Sequence, residues 1–155
     1  MIKRDIIIFL MIPALVLTVS FFMGCKAYDE KGYQEELGFT SISMGQTSSI
    51  SKARQLVIRD EQEFADIWQD IDAARSLPEI DFEEEMVIAV FMGEKPTGGY
   101  SIEIDSIYEY PDRIVVNVVE TEPDPDDMTT QALTYPYHIV TTANTEREVK
   151  FESIE

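Results

Sequence analysis

The chain is poor in the residues that most enzyme chemistry uses. Its 155 residues include one cysteine, Cys25, and one histidine, His138. A single thiol excludes any disulfide within the chain, so the fold must rest on its apolar core. A zinc site needs several His or Cys ligands, more than this sequence holds. His138 lies in the strand-like run Tyr137-His138-Ile139 with no nucleophile pattern beside it, which reads as a structural histidine rather than a base. Neither glycine-rich phosphate-binding spacing occurs. Basic residues are also scarce, 12 Lys+Arg against 30 Asp+Glu, for a net charge of −18. Phosphate backbones repel such a surface, so nucleic acid is not an expected partner.

Acidic residues are abundant without forming a recognisable site. The loop Glu122-Pro-Asp-Pro-Asp-Asp127 has the oxygen ligands that Ca²⁺ prefers. It lacks the alternating acids and central glycine of a calcium loop, and Pro123 and Pro125 restrict its folding around an ion, so it reads as solvated. The run Glu83-Glu84-Glu85 singles out no acid pair for glycoside chemistry. The expectation is a non-catalytic protein with no cofactor and no metal.

The start of the chain carries a targeting signal. Lys3 and Arg4 precede Ile6 to Met23, a stretch without a charge, which ends in Phe22-Met23-Gly24-Cys25. A small residue followed by cysteine after an apolar run resembles the bacterial lipoprotein signal, with Phe22 where leucine is usual. That resemblance implies cleavage before Cys25, acylation of its thiol and attachment to the membrane surface. The alternative is an uncleaved transmembrane anchor. Either way Lys3 and Arg4 remain inside and the rest of the chain lies outside the cytoplasm. The expected location is the cell membrane or outer membrane, lipid-anchored. The expected division is a signal peptide over 1–24, a flexible spacer over 25–38 and one β-rich domain over 39–155.

Within that domain the apolar pattern predicts mainly strands. Phe39 to Met44 alternates, and Gln55 to Arg59 is a short apolar run. Asp60 stands three residues before Glu63, a helix-start signature, and Phe64, Ile67, Trp68 and Ile71 then form one apolar stripe. This predicts a helix over about 60–74 with its stripe, Trp68 included, in the core. Met86 to Met92 is continuously apolar and reads as a strand buried on both faces. Tyr100 to Asp105 alternates, Ile114 to Glu120 is another strand, and Tyr137 to Thr141 and Glu148 to Phe151 supply the last two. The fold class is therefore α+β: a mainly antiparallel β sheet or partial barrel with one early helix packed on it.

The segment Met92-Gly-Glu-Lys-Pro-Thr-Gly-Gly-Tyr-Ser101 stands between two of these strands. Gly98-Gly99 suits the positive φ values of a tight hairpin turn, which is the plain reading. The preceding Gly93-Glu94-Lys95 makes the excursion longer than a hairpin needs, and Tyr100 follows the glycines directly. A contact loop held in shape by its glycines is the other reading.

Pro78-Glu-Ile-Asp-Phe82, the strand from Met86, Lys95-Pro-Thr-Gly-Gly-Tyr-Ser-Ile-Glu-Ile104 and Gln131-Ala-Leu-Thr-Tyr-Pro-Tyr-His-Ile-Val140 together resemble the PrcB C-terminal domain family, over about Gln55 to Phe151. The family takes its name from a lipoprotein subunit of a bacterial cell-surface protease complex. The resemblance implies a non-catalytic accessory or assembly subunit whose partner is an envelope protein such as a protease or its subunit. Pro96, Thr97, Gly98, Gly99 and Tyr100, with Tyr135, Pro136 and Tyr137, are the candidate protein-binding residues, and Cys25 is the candidate lipidation site. The tyrosines would supply aromatic contact area; the competing reading is that they cover the domain's own core. The Pro-Thr-Gly-Gly-Tyr loop also looks like the Thr-Gly-Tyr loop of chagasin-type cysteine-protease inhibitors, which makes an inhibitor one alternative function. A small-ligand-binding lipoprotein is the other, and would need a deep apolar pocket near Trp68 or the tyrosines.

Overall fold

The computed structural model describes residues 34–154 apart from Ala73. The segment read as a signal peptide, Cys25 and most of the stretch read as a spacer lie outside the described residues. No helix among the described residues is long and apolar enough to cross a membrane.

The described residues form eight strands and one helix in the order β1 (Glu35–Leu37), β2 (Phe39–Gly45), β3 (Arg54–Ile58), α1 (Glu61–Asp72), β4 (Glu85–Phe91), β5 (Ser101–Glu109), β6 (Arg113–Thr121), β7 (Tyr137–Ala143) and β8 (Glu148–Ile154). They form two four-stranded sheets, β2-β7-β4-β3 and β1-β5-β6-β8. Every strand pair is antiparallel except β6 with β8, which run parallel. The sheets are not closed into a barrel, so of the two expected β arrangements the open one is found. One strand was not expected. Glu35–Leu37, within the stretch read as spacer, pairs with Ile107–Glu109 at the edge of the second sheet. Three residues with two charges show too little alternation to be read as a strand.

The helix begins as its sequence dictates. The Asp60 side chain accepts the Glu63 N–H at 2.9 Å, and the Asp60 carbonyl accepts the Phe64 N–H. Glu61 and Glu63 lie in the first turn, where the helix dipole favours negative charge. Phe64, Ile67, Trp68 and Ile71 are buried. They pack on Ile58, Val87, Ala89, Phe91 and Ile139 of the first sheet, forming a core between helix and sheet. The Trp68 indole N–H donates to the Arg75 carbonyl, so this residue is a core anchor with its polar atom satisfied.

A second core lies between the sheets. Met86, Ile88, Val90 and Val140 of the first sheet meet Ile102, Ile104, Ile107, Ile114, Val116 and Val118 of the second. Strand β4 feeds both cores, with alternate residues pointing to opposite faces, which is why its sequence is apolar throughout. The layers are therefore helix, sheet, sheet. Full burial of each such side chain stabilises the fold by about 1.5–3 kcal/mol.

Ile88, fully buried between the sheets, is a direct probe of this arrangement. Ile88→Ala should lower the unfolding free energy by about 2–5 kcal/mol in denaturant titrations. Glu152→Ala, on the exposed side of β8, should stay within about 0.5 kcal/mol. Equal small effects would contradict a core between the two sheets.

Candidate functional site

The glycine segment is not a hairpin turn. β4 belongs to the first sheet and β5 to the second, so residues 92–100 carry the chain from one layer to the other. That crossing accounts for its length. Gly98 does not adopt positive φ; Gly93 (φ 74°) and Gly99 (φ 91°) do. The expectation of a Gly-Gly turn is corrected on both counts.

Gly93 lies against the segment after β2. A Cβ there would come within 2.7 Å of the Ala53 backbone nitrogen, and the Glu94 N–H donates to the Ser51 carbonyl at 3.1 Å. Gly99 turns the chain into β5 beneath Pro123, whose Cβ would lie 2.8 Å from an added methyl. Neither position accepts a side chain without backbone movement.

The crossing is tied to the longer segment 122–136, which runs from β6 in the second sheet to β7 in the first. Lys95 and Thr134 exchange backbone hydrogen bonds at 2.8 and 3.0 Å. The Gly98 N–H donates to the Thr130 carbonyl, the Met92 N–H to Pro136, and the Thr134 hydroxyl to the Thr97 carbonyl at 2.7 Å. The stretch after β2 joins them: Tyr135 N–H donates to the Gln46 carbonyl at 2.8 Å, and the Gln46 side chain donates to the Tyr100 carbonyl. Segments far apart in sequence thus form one braced surface at the end of the sandwich. Within 122–136, the Asp124–Asp127 piece closes on itself, the Asp127 carboxylate accepting the Asp124 N–H. Among the described residues no group of three or more acids, His or Cys is placed to hold a metal.

The candidate residues divide between this surface and the core. Pro96 and Gly99 are exposed, and Thr97, Tyr100 and Tyr135 are half-buried. The Tyr135 hydroxyl donates to Glu94 at 2.9 Å, and that bond raises the hydroxyl's pKa above its ordinary value. The Lys95 ammonium stands over the Tyr100 ring, 5.2 Å from its centre. Gly98 and Pro136 are buried. Tyr137 is buried as well, its ring stacked on Phe91 and its hydroxyl bonded to Ser43 at 3.1 Å. For Tyr137 the core reading holds, and it offers no contact area. Leu133 (57% exposed) and Met128 (fully exposed) are the large apolar side chains that reach solvent here. They were missed because single apolar residues in a polar loop carry no periodic signal.

His138 is buried between the sheets at 3% exposure. Its Nδ1 accepts the Ile104 N–H at 3.0 Å, and its Nε2 lies 2.9 Å from the Ser41 hydroxyl. Strand β1 covers only Ile107–Glu109, leaving the first half of β5 without a neighbouring strand on that side. His138 takes up the orphan N–H. A Ser–His pair suggests a nucleophile and its base, but the tautomer is wrong for that. With Nδ1 committed as acceptor, the proton sits on Nε2, which donates to Ser41 and has no lone pair to receive its proton. The histidine is a strut joining β7, β2 and β5.

Two clefts formed by described residues are small. One, of about 250 Å³, is lined by Ser49, Ile50, Ser51, Lys52, Arg54 and Asp70. The other, of about 150 Å³, lies between Glu35, Glu109, Tyr110, Pro111 and Arg147. Neither involves Trp68, Tyr100 or Tyr135, and both fall below the usual ligand-pocket size of roughly 300–1,000 Å³.

The segment that spans the two crossings decides the family comparison. Residues 86–143 match the family described as PrcB C-terminal. The resemblance read from the sequence is thereby shown, over a narrower stretch than the one from Gln55 to Phe151. The matched stretch runs from β4 through both crossings to the end of β7, so the PrcB C-terminal match contains the braced surface and the His138 strut. No curated protein matches the chain, and no solved structure does.

Burial lowers the pKa of His138, partly opposed by Glu103. The folded state therefore prefers the neutral ring, and protonation would also break the Ile104 bond. Stability from this group is complete above the ordinary imidazole value of about 6.5 and is lost as pH falls below it. The denaturation midpoint should be flat from pH 8 to about 7 and decline by pH 5.5, before most carboxylates titrate. His138→Gln should cost about 1–3 kcal/mol at pH 7.5 and abolish that decline. An unchanged decline in the variant would assign it to other groups.

Proposed function

We propose that the domain is a non-catalytic protein-binding module, an accessory or assembly subunit of an envelope protease or another surface complex. The braced end of the sandwich is its contact surface. One observation carries this reading. Two long crossings, fixed by backbone bonds to each other, hold Pro96, Tyr100, Leu133 and Tyr135 in a single place. A surface made rigid before binding loses little entropy on association, and aromatic and apolar groups supply most interface energy. The PrcB C-terminal match over this region supports a link to a protease complex. The lipoprotein-like start of the chain supports anchoring through Cys25 outside the cytoplasm, in the cell membrane or outer membrane.

Substitutions for the test must leave the glycines alone, because side chains there would displace backbone. The full-length chain, expressed in its host and cross-linked on intact cells, should yield a protease or protease-associated subunit. Leu133→Asp combined with Tyr135→Ala should reduce that product at least roughly tenfold with the thermal midpoint unchanged. Undiminished cross-linking in the double variant would remove this surface from the interface. Labelled palmitate should enter the wild-type chain and not Cys25→Ala; an unlabelled wild-type chain would rule out the anchor, and a labelled variant would rule out Cys25 as its site.

A further inference from the structure

Three of the four strands at sheet edges are protected against pairing with another chain. β1 is three residues long and begins with two glutamates. β3 starts at Arg54 and is followed by Arg59. β8 alternates Glu148, Lys150 and Glu152 along its length. Short length and charge are the ordinary devices that stop a sheet edge from recruiting a strand. β2, at the outer edge of the first sheet, has neither: Phe39-Thr-Ser-Ile-Ser-Met-Gly45 is seven residues without a charge or a proline. Its one irregularity, a bulge between Ser41 and Ser43, twists the edge without charging it. Among the described residues, all its strand pairing is to β7, and no turn or loop backbone bond uses residues 39–45. Alternate backbone groups of β2 therefore face outward, and Met44 is half-exposed.

The surroundings of this edge define what it takes. Glu35 and Glu36 precede it at one end. At the other end Gln46 bonds Tyr135, whose hydroxyl holds Glu94. Glu103 lies close enough to His138, the partner of Ser41, to act on its charge. A second copy pairing antiparallel through β2 would bring the glutamates at the start of one strand beside Glu94 of the other, acid against acid. An extended segment with an uncharged middle and Lys or Arg at its ends meets no such repulsion. We infer that β2 binds such a basic-flanked segment of a partner protein by antiparallel strand addition, extending the first sheet by one strand. This rests on the reading of the domain as a protein-binding module and names a second contact. It is continuous with the first, because β2 runs directly into Gln46 of the braced surface.

The test uses the full-length chain in detergent micelles and a synthetic peptide of alternating threonine and valine between paired lysines. Amide hydrogen exchange followed by mass spectrometry reads β2 directly. The peptide should slow exchange within residues 39–45 by roughly tenfold or more, and the same peptide with paired glutamates should not. Thr40→Lys, at an exposed position, should weaken binding of the lysine peptide by roughly tenfold. Equal protection by both peptides, protection only at 93–100 and 130–135, or no protection would overturn the inference. So would β2 protection that appears without peptide and follows self-association in sedimentation. Leu133→Asp should still bind the peptide. If the peptide fails while Leu133-dependent cross-linking persists in cells, strand addition falls and the braced surface stands.

Discussion

Everything else in this fold follows from a sheet that must be apolar on both faces. The first sheet has a helix on one side and a second sheet on the other, so β4 at its interior has no wet face. Val87, Ala89 and Phe91 serve the helix core, while Met86, Ile88 and Val90 serve the core between the sheets. β7 is under the same constraint and meets it less simply, since His138, Thr141 and Thr142 are buried there too. Each buried polar group needs a partner. Those facing the second sheet bond beyond their own strand, His138 to Ile104 of the second sheet and to Ser41 of the neighbouring β2, and Thr142 to the Gly38 carbonyl between β1 and β2. The polar atoms of β7 thus fasten the first sheet to what lies over it, directional bonds that apolar contacts alone would not supply.

Two packed sheets force the chain to change layers, and each change needs a crossing. At Gly38 the crossing is one residue, because β1 and β2 are nearly one strand bent between sheets. The crossings β4 to β5 and β6 to β7 are long and lie together, each satisfying backbone groups of the other. Loops usually leave those groups to water and remain mobile. Here the exchange between Lys95 and Thr134, with the Gly98 to Thr130 bond, makes them behave as an extension of the scaffold. The site is thus a consequence of the topology: the place where two layer changes meet is also where exposed apolar side chains are held still.

The sequence disclosed the elements far better than their arrangement. The helix was legible because capping by Asp60 and the Phe64–Ile71 stripe are local signals. β4 was legible because seven apolar residues in a row leave a strand little choice but double burial. What could not be read was which sheet each strand joins, since pairing partners such as Phe39 and Thr142 are far apart in the chain. Gly98-Gly99 consequently looked like a hairpin turn, because the local chemistry of a turn and of a layer crossing is the same. The proximity of the two candidate segments was legible as a guess, but the sorting of their tyrosines was not. Tyr137 continues the inward side of β7, whereas Tyr135 precedes the strand and is free to reach Glu94. Only the position at which the strand begins separates those fates.

Charge places a last constraint on how such a protein meets others. With 30 acidic residues against 12 basic ones, most of its surface repels acidic neighbours and attracts basic ones at long range, which governs approach more than final affinity. The parts suited to close contact are those with little charge of their own. Along the braced surface, the Glu94 carboxylate accepts from Tyr135 and Lys95 stands over Tyr100, which fixes both charges in place. β2 has none at all. In the proposed binding mode, steering and contact fall to different regions: acidic faces would orient a basic partner, and neutral backbone and aromatic groups would hold it. A design that placed the acids within the contact would have to desolvate them on binding, at a cost of several kcal/mol for each ion. Keeping them at the margin would let the proposed interface close without desolvating the domain's large net charge.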